Sequence, residues 1–128
     1  MKKLVIIGCV LMFFFKTQAT ADYEKVFFDF KIDSISGEEI DFNEYRNKVI
    51  LLVNTASYCG FTKQYDDLQK LWDKYKSKGL IVLGVPSNSF NQEKDKNEDI
   101  KEFCEVNFDI NFPLTTICLL YTSPSPRD

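Results

Sequence analysis

One cysteine carries the chemical interest of the stretch VNTASYCGFTKQY, Val53 to Tyr65: Cys59 stands between an apolar run and a run of helix-forming residues. No histidine occurs anywhere in the 128 residues. Ser-His-Asp and Cys-His catalysis, His-ligated zinc and His-bound haem are thereby removed, leaving Cys, carboxylate, Lys and Tyr as candidate reactive groups. A dithiol exchanger would carry Cys-x-x-Cys, whereas this chain reads Cys59-Gly60-Phe61-Thr62, so dithiol exchange is disfavoured. What remains is a lone thiol with a hydroxyl one helical turn away. Such a thiol suits attack on a small electrophile, and its oxidised product must be resolved by a distant thiol or a partner. Position alone leaves open a small buried Cys packing beneath the helix.

The surrounding elements must place that thiol. VILLVN from Val49 and LIVLGV from Leu80 are continuous apolar runs rich in β-branched residues, as expected of strands buried on both faces of a sheet. Between them, KQYDDLQKLWDKYKSKG puts Tyr65, Leu68, Leu71, Trp72 and Tyr75 at helical spacing, with Gly79 as the stop. The unit is a β-α-β crossover, so its two strands should be parallel neighbours. Cys59 then falls in the loop after the carboxyl end of a central strand, where open α/β sheets present reactive groups. The amino end of a following helix favours thiolate there. Upstream, KVFFDFKIDSISGEEIDF reads as a β-hairpin turning at Ser36-Gly37, and NEYRNK as a helical turn closed by Asn47. Downstream, Asp95 and Glu98 resemble a capping box for a second helix with Ile100, Phe103, Cys104 and Phe108 on one face. The class is α/β.

An apolar fraction of 45% and a net charge of −3 describe one ordinary globular domain without a polybasic face, which disfavours nucleic acid and anionic membrane as partners. Residues 1–21 read as a secretory signal: Lys2 and Lys3, an apolar run from Leu4 to Phe15, and Ala19-Thr20-Ala21 before a cleavage ahead of Asp22. That run, ended by Lys16, is shorter than the roughly 20 apolar residues a membrane helix needs, and Cys9 is an ordinary apolar residue of the signal. The mature chain is expected to be secreted or periplasmic, with no membrane anchor. Residues 118–128, CLLYTSPSPRD, resemble translated sequencing adapter and are read as a non-native tail. On this reading 22–117 is the domain, cut off after Ile117 with its C-terminal part missing.

VNTASYCGFTKQYDDLQKLWDKYKSKGLIVLGVPSNSF followed by NEDIKEFCEVNFDINFP resembles the glutathione peroxidase family, especially its cysteine-containing, thioredoxin-using branch. The resemblance runs from about Phe28 to Ile117. It rests on Asn-x-Ala-Ser-x-Cys-Gly-x-Thr in order with a later Pro-x-Asn-x-Phe and Phe-Pro. It implies a thioredoxin-like fold and thiol-dependent reduction of hydrogen peroxide and organic hydroperoxides, with no cofactor. The implied partners are a hydroperoxide and a thiol reductant, either a thioredoxin-like protein or glutathione. By this resemblance Cys59 is the peroxidatic residue and Cys104 stands where two-cysteine members carry the resolving one. A core role for Cys104 beside Ile100 and Phe103 fits its helical face equally. If Cys104 resolves, its helix must fray, since a disulfide needs Cα atoms within roughly 7 Å.

The departures from the family matter too. Ser89 in VPSNSF occupies the place of a glutamine that hydrogen-bonds the reacting sulfur, so it either donates one bond through a shifted loop or a water, or leaves the loop to supply shape alone. The adjacent Asn88 is retained. The family's Trp-Asn pair would lie further on, in the region the tail replaces, so the chain as it stands is expected to be inactive or weakly active. The expected function is thus a thiol peroxidase working through a cysteine sulfenic acid and an intramolecular disulfide. Two other classes stay open: a non-enzymatic thioredoxin-like interaction domain, and a domain with a purely structural Cys59–Cys104 disulfide.

Overall fold

The computed structural model describes residues 26–118. The expected signal at 1–21, with Cys9 in it, and residues 119–128 of the expected non-native tail lie outside the described residues. The first described segment, Phe27–Asp29, is a 3-10 turn rather than strand. The hairpin it leads into is short: β1 (Ile32–Asp33) pairs antiparallel with β2 (Glu39–Ile40). Its turn is held by the Ser34 side chain, whose Oγ accepts N–H bonds from Ser36 and Glu38. The expected helical turn is a 3-10 turn, Phe42–Tyr45, capped by the Asp41 carboxylate on the Asn43 N–H at 2.9 Å, and Asn47 follows in the left-handed region.

The crossover forms as its pattern implies. Strand β3 (Val49–Thr55), helix α1 (Gln64–Tyr75) and strand β4 (Leu80–Pro86) are followed by helix α2 (Asn97–Phe108). β3 and β4 pair in parallel over their whole length, Val49 opposite Leu80 and Thr55 opposite Pro86. α1 ends in a 3-10 turn at Lys76–Lys78 and Gly79 with φ 91°, a conformation that glycine adopts without steric cost. α2 starts without the expected capping box: its N-cap is Lys96, no side chain caps it, and Asp95 instead accepts a bond from Asn88. A cap signature in sequence loses to a loop that needs the carboxylate elsewhere. Asp109, left-handed at φ 52°, closes α2, and the following Ile110 N–H reaches back to the Cys104 carbonyl.

Segment 113–116 extends the sheet beyond β4. The Gly84 N–H donates to Pro113 O and Gly84 O accepts from the Thr115 N–H, while Ile35 and Thr116 donate to Leu114 O and Asp33 O. The hairpin is thereby joined to the central strands. The period of two along β4 divides the core: Val82 faces Tyr65, Ile100 and Cys104, whereas Ile81 and Leu83 face Phe42 and Tyr45. β4 is covered on both faces, but the same expectation fails for β3, where Val49 is 70% and Leu52 57% exposed. Among the described residues β3 has one strand neighbour, so it is an edge with part of one face open.

A buried polar side chain sits on the apolar face of α1. Gln69, on the same face as Tyr65 and Trp72, is buried; its Oε1 accepts the Asn111 N–H and its Nε2 donates to Asn111 Oδ1, which also accepts from the Trp72 indole. These bonds tie the segment after α2 to α1. Two substitutions test the packing. Leu83→Ala, at a fully buried position, should lower unfolding free energy by about 2–5 kcal/mol in urea titration. Gly84→Ala would drive a methyl into the Leu114 side chain where segment 113–116 crosses β4, and should cost about 1–3 kcal/mol in the same titration.

Candidate active site

Cys59 follows the last residue of β3 by four positions and is half-buried. Its N–H donates to Ala56 O and its carbonyl accepts from the Thr62 N–H, at 3.3 and 3.2 Å. Further i to i+3 bonds from Gln64 and Tyr65 carry the chain into α1, whose N-cap is Lys63. The helix therefore begins a full turn beyond Cys59, where the helical run from Lys63 suggested. Cys59 lines a small pocket of about 60 Å³ together with Val53, Thr55, Phe61, Thr62, Tyr65 and Leu68. Phe61 and Tyr58 flank it as exposed rings.

The loop that holds Cys59 is anchored from outside its own crossover. The Tyr58 N–H donates to Gln92 O at 2.8 Å, and the Ser57 N–H donates to Glu93 Oε1 at 3.0 Å. The same Oε1 accepts the Lys94 N–H at 2.8 Å, and Lys94 Nζ reaches the Tyr58 hydroxyl. Glu93 is only 4% exposed, and the second oxygen of its carboxylate has no hydrogen-bond partner. Glu93 was not visible in the sequence because it lies in NQEKDKNED, a charged run that reads as a solvated loop.

Ser89 belongs to the segment after β4, where its Oγ accepts a bond from the buried Ser87 hydroxyl at 3.0 Å and its N–H donates to the same group. No residue of that segment lines the Cys59 pocket. Asn88 is occupied in shaping the loop, accepting from the Glu93 N–H and donating to Asp95. Cys104 is fully buried on α2 in the core cluster that contains Ile100 and Tyr65. Cys59 and Cys104 are both free thiols. Among the described residues no group of His, Cys, Asp and Glu side chains is placed to hold a metal ion, and no helix is long and apolar enough to cross a membrane.

Tyr65 connects the two cysteines. It lines the Cys59 pocket, its ring packs on Phe108, and it shares the core cluster with Cys104. Burial first, then the negative charge potential of its neighbours, holds the phenol well above its ordinary range. Burial likewise pushes the Cys104 thiol from 9.0 up to about 11, against a lowering contact with Tyr65 and with further upward pressure from Glu93 and Glu105.

The sign of the stability effect follows. An unfolded Cys104 ionises near its ordinary value while the folded one holds its proton, so the contribution is full below about pH 9 and is lost as pH rises toward 11. Two pH units correspond to about 3 kcal/mol. The urea midpoint should fall across that window, and Cys104→Ala should flatten part of the fall; an unchanged slope would show that Cys104 ionises as freely folded as unfolded. At neutral pH, iodoacetamide should modify Cys59 while leaving Cys104 untouched until urea unfolds the chain, as read by peptide mass spectrometry.

Residues 27–121 match the family profile described as Glutathione peroxidase. The chain is 44% identical over 89 residues to a glutathione peroxidase of Lactococcus lactis subsp. cremoris, an alignment covering 69% of this chain and 57% of that protein. It is 50% identical over 88 residues to a glutathione peroxidase-like peroxiredoxin of Candida albicans, covering 68% and 52%. The crystal structure of T. cruzi GPX1 superposes with a TM-score of 0.57 at 28% identity, covering 77% of this chain and 59% of that one. A thiol:disulfide interchange protein DsbE of Chlorobium tepidum, at 23% identity and TM-score 0.53 over 68% and 57%, shares the fold alone, which is thioredoxin-like. The chain spans about half the length of the curated relatives it matches. With the Cys59 motif on the β3–α1 loop and the match running through α2 to the last described residues, this chain belongs to the glutathione peroxidase family.

Proposed function

We propose that the protein is a secreted or periplasmic thiol peroxidase in which Cys59 is the peroxidatic residue and Cys104 the resolving one. The observation that carries this is the placement of Cys59: a half-buried thiol in a small pocket at the carboxyl end of β3, at the motif position of a glutathione peroxidase chain. The Cys59 thiolate attacks one oxygen of the hydroperoxide; the O–O bond breaks, the sulfur becomes a sulfenic acid, and the other oxygen leaves as water or an alcohol after protonation. The Cys104 thiol then condenses with the sulfenic acid, forming the disulfide and releasing water. An external dithiol, a thioredoxin-like protein or glutathione, restores both thiols. Cys104 starts in the core, so this step requires part of α2 to loosen, which places the helix among the low-stability elements.

In the protein carrying its natural continuation past Ile117, Cys59→Ser should abolish peroxide consumption; turnover comparable to the parent would end the assignment of this site. Ser89 is engaged with Ser87, outside the pocket lining, so Ser89→Ala should cost at most about tenfold in rate, the worth of one modest hydrogen bond. Ser89→Gln should leave the rate alone or raise it. A loss of several orders of magnitude in Ser89→Ala would assign serine a catalytic role.

A further inference from the structure

Beneath the Cys59 loop four buried side-chain oxygens lack hydrogen-bond partners: Thr55 Oγ1, Ser57 Oγ, the Tyr65 hydroxyl and Glu93 Oε2. Buried polar groups are almost always satisfied, so a cluster of four beside a reactive thiol calls for a chemical reason. Tyr65 is the member that borders both cysteines' surroundings. Its side chain forms part of the wall of the Cys59 pocket, it packs in the core cluster that holds Cys104, and its buried hydroxyl has no hydrogen-bond partner.

We propose that Tyr65 is a catalytic residue of disulfide formation, a neutral relay that takes the proton of the Cys104 thiol while giving its own to the hydroxyl departing from Cys59. The inference rests on the peroxidase reading above and adds to it a named group and a proton path. The Cys104 sulfur attacks the Cys59 sulfur; the S–S bond forms and the S–O bond breaks. The S–H proton passes to the phenol oxygen, and the phenol O–H proton passes to the leaving oxygen, which departs as water. The Cys104 sulfur is oxidised, the Cys59 sulfur is reduced from sulfenic acid to disulfide, and Tyr65 ends as it began.

The charges facing these groups favour exchange over ionisation. Glu93 from the loop after β4 opposes a negative charge on either group, Tyr65 and Cys104 oppose one on each other, and Glu105 adds to the pressure on Cys104 from α2 itself. Thr55 from β3 supplies only a hydroxyl to Tyr65. Making a Cys104 thiolate before attack would place a new charge in a buried site, whereas a concerted double transfer never does. A phenol that holds its proton firmly suits a relay and does not suit a free-standing base.

The test separates the two chemical steps in the full-length protein. After one equivalent of hydrogen peroxide, sulfenic acid at Cys59 is trapped with dimedone, and disulfide is measured by mass spectrometry of quenched samples. Tyr65→Phe keeps the ring and removes only the O–H. Sulfenic acid should form at the parent rate, and disulfide formation should slow by about tenfold or more at neutral pH. The variant should also acquire a pH dependence of about tenfold per unit, because only spontaneously ionised Cys104 can attack, while the parent stays level between about pH 6 and 8. A purely structural role would not change that profile. Should the variant not fold, the parent protein still decides: two protons in flight predict a solvent deuterium slowing of disulfide formation, and a rate equal in both solvents overturns the relay. Sulfenic acid followed by disulfide formation at parental rate and pH profile in Tyr65→Phe overturns the relay alone. Absence of sulfenic acid at Cys59 in the parent overturns the peroxidase reading and the relay together.

Discussion

The parallel pairing of β3 with β4 is the constraint on which the other features depend. Seven residues of each strand are matched in register, so the point at which β3 ends also sets the point at which β4 hands over to its loop. Thr55 opposite Pro86 brings the two following loops to the same edge of the sheet, and the Ser87 N–H bonds to Thr55 O there. The Cys59 loop and the 87–96 loop become neighbours for this reason. A slip of one residue would turn Val82 away from Tyr65 and Cys104 and push Ile81 and Leu83 into their place. Both halves of the core, and the floor of the pocket, would be lost together.

On that edge a single carboxylate oxygen does the joining. Glu93 Oε1 takes two backbone N–H groups, one from the Cys59 loop and one from the start of the run into α2. Charge-assisted bonds to backbone are stronger than neutral ones, and this one is buried, where an unpaired N–H would be costly. The clamp links the segment of one cysteine to the element that bears the other. Beneath it lie Tyr65 and Cys104, held in their neutral forms by burial. The site thus keeps one thiol half-buried in the loop and another protonated in the core.

The open side of β3 has a different physical meaning. A long strand with exposed Val49 and Leu52 and one neighbour presents unpaired backbone groups and apolar surface together. Such an edge favours pairing with further strand, in the same chain or another. The chain spans about half the length of its curated relatives, and among the described residues no strand other than β4 pairs with β3.

Much of the architecture was legible in residue order because it depends on local periodicity. Apolar runs of strand length, helical spacing from Tyr65 to Tyr75 and the stop at Gly79 specify a parallel crossover without any knowledge of distant contacts, and the motif around one cysteine falls on the loop between β3 and α1. What spacing could not supply were facts that depend on two distant segments meeting. Glu93 and Gln69 are polar residues in polar surroundings, and their burial follows only from the loops and strands that close over them. The Asp95 cap went to Asn88 because a neighbouring loop competed for it. β3 reads as a central strand from composition, since hydrophobicity records what a strand can bury, whereas only its neighbours in space determine what it does bury. Likewise Tyr65 and Cys104 stand about forty residues apart in sequence, and only the tertiary packing of α1 on α2 brings them into one core cluster.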